Sequence, residues 1–381
     1  MQFDLPLPPL TLQCGLRLPG LHVRGWAAGP GLEGLSPIDI DPGPIRRDAA
    51  ALETLWASPP PRLEADVPTV LFMHALTGDA QAGEPDGWWS FLIGPDGPYD
   101  PTKTRLIGLN HLGSCYGSYG PADAAFPRWS DLPEPPDLNN LPPNPSWRPA
   151  PLTAWDQARV TLLALDGLGV KRVERVVGGS IGGNLALCMQ VLAPDRFEAV
   201  DAVACGPRST PWILGFNHVG RQAVLTDPVA GLPLARALAH LSYRSEQGLE
   251  ERQGRTVRGT HPFGAYAMQT YLQHHGAKLV SRFDPASYVS MLDAMDHHDL
   301  ETRPTRDDHE SWSTDGEWGR ARLHDVRGVG IHSDELFHPH LLRALCESVP
   351  GGSYRELSSP HGHDAFLMPG TLLGTLLEID S

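Results

Sequence analysis

The sequence predicts an α/β protein with a mostly parallel sheet, helices on both faces of that sheet and an inserted helical segment. The main observation is a series of short apolar runs, which are typical of strands buried on both faces. They occupy residues 69–74, 104–109, 173–177, 198–204 and 326–332. Segments with helical spacing separate several of these runs, an order that favours a parallel sheet with right-handed crossovers.

The predicted insertion covers residues 206–305, where apolar residues recur at helical spacing and no buried strand is evident. We therefore predict a core domain of residues 1–205 and 306–381 and a helical lid subdomain of residues 206–305. A chain of 381 residues suits this arrangement, because single hydrophobic cores stop growing at about 250–300 residues.

The remaining elements have weaker patterns. Residues 21–26 are predicted to form an edge strand, and prolines and glycines cluster at 36–62 and 119–151, which we interpret as surface loops. The role of the proline-rich stretch 128–151 is left open. Further helices are expected at 48–56, 153–167, 340–348 and 365–379, and a short strand at 353–357.

The charge balance of the chain limits its partners. It carries 30 Lys and Arg residues against 45 Asp and Glu residues, a formal net charge of −15. This argues against binding to nucleic acid or to an anionic membrane surface. The five cysteines form no C-x-x-C pair, so neither a zinc site nor a disulfide framework is indicated. Because no signal peptide or membrane-spanning run is visible, we expect a cytoplasmic protein.

One turn carries the strongest indication of chemistry. Residues 178–182 are Gly-Gly-Ser-Ile-Gly, a G-x-S-x-G pattern between the apolar run at 173–177 and an apolar segment at 184–191 that lacks glycine and proline. This is the strand–turn–helix context that exposes a nucleophilic serine at the top of a parallel sheet. The glycines allow the turn to be tight. The alternative is a glycine-rich turn in which Ser180 has no role.

A serine hydroxyl is a poor nucleophile at neutral pH and needs a base. His363 follows the strand predicted at 353–357, and Asp334 follows the strand predicted at 326–332. Ser, Asp and His in this order, each after its own strand, predict the catalytic triad of an α/β-hydrolase fold. His363 would take the proton of Ser180 and Asp334 would orient the imidazole. Taken singly, His363 could be an ordinary loop histidine and Asp334 a turn carboxylate.

An oxyanion hole in this fold is made by two backbone N–H groups. One belongs to the residue after the nucleophile, which is Ile181 here. The other comes from a loop after an earlier strand, here residues 74–78, and we assign it to Leu76. The alternative for this loop is a plain turn between a strand and a helix.

Several further stretches resemble the homoserine O-acetyltransferase family, which comprises homoserine O-acyltransferases of the α/β-hydrolase fold. Examples are His-Ala-Leu-Thr-Gly-Asp at 74–79 and Gly-His-Asp-Ala-Phe-Leu at 362–367. The matching motifs span about residues 74 to 367 in the family's order, and together they are far more specific than the serine turn alone. The others lie at 87–89, 93–95, 110–118, 178–183, 217–223, 231–243, 271–276, 282–284 and 294–299.

The resemblance implies a ping-pong acyl transfer in methionine biosynthesis. Ser180 would attack acetyl-CoA, CoA would leave, and the acyl-enzyme would react with the hydroxyl of L-homoserine after His363 removes its proton. The family also implies that Arg236, Tyr243 and Asp364 hold the amino acid, since a guanidinium binds a carboxylate and a carboxylate binds an ammonium. It further implies a homodimer formed through the lid helices, with no metal and no cofactor besides the acyl donor.

Three alternatives stay open from the sequence. The first is the same chemistry with succinyl-CoA as the donor or serine as the acceptor. The second is an esterase or thioesterase, which shares the triad but admits water to the acyl-enzyme. The third is a catalytically silent α/β-hydrolase scaffold that acts through binding, and the intact Ser180, Asp334 and His363 argue against it.

Overall fold

The computed structural model of the chain describes residues 1–38, 43–83, 85–133, 146–259, 264–301 and 319–378. Its strands are β1 (Gln2–Leu7), β2 (Leu10–Thr11), β3 (Arg17–Leu18), β4 (Leu21–Ala28), β5 (Thr69–Met73), β6 (Arg105–Leu109), β7 (Val173–Gly179), β8 (Phe197–Val203), β9 (Val257–Arg258), β10 (Ala265–Tyr266), β11 (Val326–Ile331) and β12 (Ser353–Leu357). Its α-helices are α1 (Ala49–Trp56), α2 (Ala154–Leu168), α3 (Ile181–Leu192), α4 (Pro211–Thr226), α5 (Pro228–Tyr243), α6 (Glu246–Gln253), α7 (Ala267–Val280), α8 (Pro285–Asp296), α9 (Pro339–Ser348) and α10 (Leu373–Leu377).

One sheet of eight strands organises the fold, in the order β1-β4-β6-β5-β7-β8-β11-β12. Strand β4 is antiparallel to β1 and β6, and the other neighbouring pairs are parallel. Every residue of β5 and β6 is buried, as expected for strands covered on both faces. The predicted mostly parallel sheet is confirmed. The carboxyl ends of its parallel strands meet at one edge, where ligands of open α/β sheets bind.

The helices begin and end where the sequence provides caps. The hydroxyl of Thr153 accepts a hydrogen bond from the Asp156 N–H at the start of α2, and the Asp156 carboxylate accepts one from the Thr153 N–H. Gly169, at φ 79°, ends the same helix in the left-handed region. Asp48 caps the predicted short helix α1. None of the helices in the described ranges is both long and apolar enough to cross a membrane.

Helices α4 to α8 lie between β8 and β11, in the segment predicted as a lid. The prediction concerned buried strands, and the small antiparallel pair of β9 and β10 in this segment is exposed. These strands have two exposed residues each, so they lack the buried alternation that would reveal them in the sequence. The predicted boundary between lid and core at 305/306 lies outside the described residues, as does the 134–145 part of the proline-rich stretch.

The strand predicted at 21–26 is present, but its predicted position at the edge of the sheet is wrong. This segment is part of β4, which pairs with β1 on one side and β6 on the other. The edge is β1, which the sequence pattern does not reveal because Pro6 lies within it. Proline cannot donate a hydrogen bond to a neighbouring strand, and it is tolerated at a sheet edge for that reason.

The closing helix predicted at 365–379 is also wrong. The chain forms a 3-10 helix at Gly362–Leu367 and then α10. Pro369 and Gly370 separate the two, since proline lacks the N–H that a continuing helix needs and Gly370 adopts φ 84°. Residue 379 lies outside the described residues.

A buried charge cluster joins three strands and a loop on one face of the sheet. Asp201 of β8 is fully buried and accepts hydrogen bonds from Tyr99, Arg175 and Arg327, at 2.7 to 2.9 Å. Burial, and after it the Asp201 charge, holds the pKa of Tyr99 well above its usual value. The single carboxylate of Asp201 is thus the shared counter-ion of two guanidinium groups that are themselves largely buried.

Replacing this carboxylate should destabilise the fold strongly. We expect Asp201→Asn to lower the free energy of unfolding by about 3 kcal/mol or more, because two largely buried guanidinium groups lose their counter-charge. Urea denaturation followed by circular dichroism would measure the change. The control is Glu198→Gln on the same strand, whose partner Arg172 is exposed, with an expected effect below about 1 kcal/mol. Equal effects of the two substitutions would contradict the stabilising role of Asp201.

Candidate active site

Ser180 lies between the end of β7 and the start of α3, with φ 58° and ψ −128°. Positive φ is rare for a residue with a side chain and marks a strained turn. The neighbouring glycines allow close packing: a Cβ on Gly178 would lie 2.2 Å from the backbone of Gly182, and one on Gly182 would lie 2.1 Å from the Met73 carbonyl oxygen. Since α3 begins at Ile181, the positive end of its dipole lies beside the Ser180 hydroxyl.

The three predicted triad residues come together in the order that the chemistry requires. The Nε2 atom of His363 lies 2.9 Å from the Ser180 Oγ atom, and its Nδ1 atom lies 2.7 Å from Asp334 Oδ2. Asp334 Oδ1 accepts the N–H groups of Leu336 and Phe337, each at 2.9 Å. Asp334 is therefore both the turn carboxylate of the alternative interpretation and the partner of His363. All three side chains are buried.

The surroundings of His363 favour its charged form. Burial lowers the pKa of the imidazole, but the charge and hydrogen bond of Asp334, together with the charge of Asp364, outweigh burial, and the pKa is raised above its ordinary value. The ring of Phe337 stacks against the imidazole at 5.3 Å, and the Phe366 ring meets it edge-on at 5.4 Å. These contacts fix the ring plane, so that one nitrogen faces the serine and the other the aspartate.

The two residues predicted to supply the N–H groups of the oxyanion hole lie in one part of the hydrophobic core. Leu76 and Ile181 belong to the same cluster of buried residues. Ile181 is the first residue of α3, so its N–H has no partner within the helix. In the part of the chain that the structure describes, neither the Leu76 N–H nor the Ile181 N–H donates to another protein group. Both are thus available to an oxygen atom bound at Ser180.

The three residues expected to hold an amino acid are linked to His363 through Tyr243 and through the chain. The guanidinium of Arg236 lies 5.6 Å from the centre of the Tyr243 ring, and that ring lies 5.7 Å from the imidazole of His363. Asp364 follows His363 in the chain, and its charge acts on the Tyr243 hydroxyl. A cation, a hydroxyl and an anion are therefore grouped on the side of His363 that Tyr243 faces.

One neighbour was not predicted. Arg244 forms an ion pair with Asp364, with 3.1 Å between Nη2 and Oδ2, and both side chains are largely buried. Helix α5 ends at Tyr243, so Arg244 leaves the helix and turns toward the loop that carries His363. The sequence does offer one indication of Arg244 as a site residue, because it directly follows Tyr243, which is expected to bind the amino acid. No group of three or more His, Cys, Asp or Glu residues placed to bind a metal occurs in the described ranges.

Comparison with known proteins agrees with this geometry. Residues 68–368 match the family model for the alpha/beta hydrolase fold. The chain is 34% identical over 329 residues to a homoserine O-acetyltransferase of Thermus thermophilus, covering 78% of each chain. A crystal structure of homoserine O-acetyltransferase from Bacillus anthracis superposes with a TM-score of 0.74 at 15% identity, covering 99% of this chain and 96% of the other. An acetylester hydrolase from Corynebacterium glutamicum superposes with a TM-score of 0.70 at 17% identity, covering 99% and 94%.

These matches define first the class and then the family. The sheet, the serine turn and the family model place the molecule among proteins of the α/β-hydrolase fold. The two structural matches show this fold alone, since one is a transferase and the other a hydrolase. By its identity to the curated relative, the chain belongs to the homoserine O-acetyltransferase family, whose members are acyltransferase enzymes.

Proposed function

We propose that this chain transfers the acetyl group of acetyl-CoA to the hydroxyl of L-homoserine, a reaction of methionine biosynthesis. The observation that carries the proposal is the grouping of Arg236, Tyr243 and Asp364 around a Ser180–His363 pair joined at 2.9 Å. An esterase needs the triad alone. An acceptor with a carboxylate and an ammonium group needs, in addition, a cation and an anion beside the serine.

In the first half-reaction, the Oγ atom of Ser180 bonds to the thioester carbonyl carbon while His363 Nε2 takes the hydroxyl proton. The N–H groups of Leu76 and Ile181 stabilise the negative charge that develops on the carbonyl oxygen. The carbon–sulfur bond then breaks, and the CoA sulfur leaves with the proton held by His363. Asp334 stabilises the imidazolium throughout without itself taking the proton.

In the second half-reaction, His363 removes the proton of the homoserine hydroxyl, and the resulting oxygen nucleophile attacks the acetyl-serine. The oxyanion hole acts again, and Ser180 leaves with the proton from His363. Arg236 binds the acceptor carboxylate and Asp364 its ammonium group. Because Arg244 occupies Asp364 Oδ2, the ammonium group binds at Oδ1. This chemistry requires no metal and no further cofactor.

The test is a matrix of CoA release that crosses acetyl-CoA and succinyl-CoA with L-homoserine, L-serine and no acceptor. Turnover with acetyl-CoA and L-homoserine alone supports the proposal. Preference for succinyl-CoA or serine would keep the mechanism and overturn the assigned substrates. Equal CoA release without any acceptor would mean that water reaches the acyl-enzyme, and the protein would then be a thioesterase.

Removing the guanidinium group should weaken acceptor binding specifically. We expect Arg236→Ala to raise the KM for L-homoserine by about 100-fold, because a carboxylate loses a charge-assisted partner in a partly buried site. Steady-state kinetics at saturating acetyl-CoA would measure this change. The substitution should also reduce the preference of the enzyme for homoserine over 3-aminopropan-1-ol, which lacks the carboxylate.

The control for this experiment is Arg258→Ala, because Arg258 is an exposed lid arginine on β9. It should leave the KM for homoserine unchanged. A homoserine KM in Arg236→Ala within threefold of the wild-type value would refute the carboxylate role of Arg236.

We also propose that the protein is a cytoplasmic homodimer assembled through the lid helices. The support for the dimer is that several large apolar side chains on these helices are exposed. Single exposed apolar residues are normal on a protein surface, whereas a larger exposed apolar set is typical of an interaction site. The set comprises Trp212, Leu214, Val219, Val229, Leu234, Leu241 and Val280.

The support for a reducing compartment is that the cysteines of the chain are free thiols.

A further inference from the structure

The loop after β5, residues 74–78, carries the Leu76 N–H assigned to the oxyanion hole. Three of its backbone carbonyl oxygens accept hydrogen bonds from side chains. His111 Nε2 donates to the His74 oxygen at 2.8 Å, His74 Nδ1 donates to the Ala75 oxygen at 2.7 Å, and Arg282 Nη1 donates to the Thr77 oxygen at 2.7 Å. The mechanism described above uses none of these three side chains.

The bond to the Ala75 oxygen acts directly on the oxyanion hole. The Ala75 C=O and the Leu76 N–H belong to one planar trans peptide, so they point in opposite directions. Holding the carbonyl oxygen on one side therefore holds the N–H on the other. The Gly78 N–H also donates to the Ala75 oxygen, at 2.9 Å. Rotation of this peptide would turn an oxygen, rather than an N–H, toward the reacting carbonyl.

The tautomer of His74 follows from its second contact. Its Nε2 atom accepts a hydrogen bond from the backbone N–H of His111 at 3.3 Å. The ring proton of His74 therefore resides on Nδ1, which faces the Ala75 oxygen. The His74 and His111 rings stack with 3.6 Å between their centres and are buried. Burial holds the pKa of His74 well below its usual value and lowers that of His111 to about 4. Burial therefore favours the neutral form of both rings, with the Nδ1–H of His74 directed at the Ala75 oxygen.

Arg282 approaches the same loop from the other side. It lies between α7 and α8, and its guanidinium donates to the Thr77 carbonyl oxygen, to the Thr77 hydroxyl at 3.3 Å and to the Tyr116 hydroxyl at 2.5 Å. Arg282 thus supplies a polar contact between the helical segment and the loop, in addition to the apolar cluster that Leu76 shares with residues of α4, α5, α7 and α8. A carbonyl oxygen that accepts a guanidinium N–H is held by a charge-assisted hydrogen bond, which is stronger than a neutral one.

We propose that His74 and Arg282 are positioning residues that fix the oxyanion loop from both sides, so that the Leu76 N–H faces the reacting carbonyl oxygen. Arg282 contributes from the helical segment, and the hole is therefore complete only while that segment is docked. The inference rests on the proposed acyl-serine mechanism and names two residues beyond the triad, the oxyanion N–H groups and the acceptor site.

The experiment measures acylation of Ser180 with p-nitrophenyl acetate, which reports on the oxyanion hole whichever thioester the protein uses in the cell. We expect Arg282→Met to slow the burst of p-nitrophenolate by about 100-fold, because small misplacements of a stabilising group cost rates of this size. Arg282→Lys should recover at least tenfold of that loss, since one N–H donor returns. The KM for homoserine should stay within threefold of wild type.

Two matched substitutions complete the set. Tyr116→Phe removes the Tyr116 hydroxyl, which accepts a hydrogen bond from the Arg282 guanidinium, and leaves both hydrogen bonds to Thr77. The rate of acylation should therefore change less than fivefold. His74→Leu should slow acylation by about 100-fold, and His74→Asn should recover part of this loss because its amide can donate near the position of Nδ1. Thermal midpoints, measured for every variant, identify any that do not fold.

The outcomes separate this inference from the proposed function. Acylation of folded Arg282→Met within threefold of wild type would overturn the inference. A lower thermal midpoint with an unchanged burst rate would also overturn it, because the role would then be structural. Wild-type protein that is acylated but transfers nothing to homoserine would refute the proposed function and leave the inference standing. Wild-type protein that is not acylated at Ser180 would refute both.

Discussion

Ser180→Ala is expected to lower the rate of CoA release by about 10⁵-fold or more while the fold remains intact. The hydroxyl that this substitution removes is the atom 2.9 Å from His363 Nε2, and without it no acyl-enzyme forms. Alanine is the suitable replacement because it keeps the Cβ atom, and with it the backbone conformation at φ 58°. A loss of activity in this variant is then caused by the missing hydroxyl and not by a changed backbone conformation.

Three measurements check this prediction. CoA release gives the rate, mass spectrometry after incubation with acetyl-CoA shows whether an acetyl group is attached, and the thermal midpoint shows whether the variant is folded. Ser348→Ala is the control, because Ser348 is exposed at the end of α9, and it should retain wild-type turnover. Turnover of Ser180→Ala within tenfold of wild type would refute the assignment of the nucleophile.

Asp334→Asn is expected to lower kcat by about 10⁴-fold. The side-chain oxygen of the introduced asparagine can still accept the Leu336 and Phe337 N–H groups, so the loop should keep its conformation. The amide group of that asparagine, however, would donate to His363 Nδ1. The remaining ring proton would then reside on Nε2, where it faces Ser180 and prevents the imidazole from acting as a base.

The same substitution should change the pH profile in a defined direction. Burial lowers the pKa of His363, and Asp334 raises it to a net value above the ordinary one. Because catalysis requires the neutral imidazole, activity is lost as the pH falls through this pKa. Removing the Asp334 charge lowers the pKa, so the acid limb of kcat/KM should move to lower pH. Glu335→Gln, at the exposed neighbouring carboxylate, should leave both rate and profile unchanged, and an unshifted limb in Asp334→Asn would contradict the coupling.

The parts of this molecule that the sequence predicts well are those fixed by local pattern. Most residues of the runs that became β5, β6, β7, β8 and β11 are apolar or glycine, a pattern that burial on both faces of a sheet favours. Ser180 follows β7, Asp334 follows β11 and His363 follows the less apolar β12, and the parallel sheet brings their loops to one edge. Their convergence could therefore be predicted from chain order, without knowledge of any distance.

Other features depend on contacts that no local pattern encodes. Strand β1 contains a proline and is stable because β4 lies beside it. The pairing of Arg244 with Asp364 joins residues 120 positions apart in the chain. Likewise, Arg282 reaches a loop more than 200 positions away. Periodicity carries no information about such partners, and they emerge once the helical segment is packed against the loops of the sheet.

The backbone of Ser180 also affects how this sequence can change under selection. A side-chain-bearing residue at positive φ costs about 1–3 kcal/mol, and glycine largely avoids this cost. A library selected for heat resistance alone would therefore tend to enrich glycine at position 180 and discard the nucleophile. Retention of serine there requires selection for turnover, so position 180 is a site where resistance to heat and enzymatic activity favour different residues.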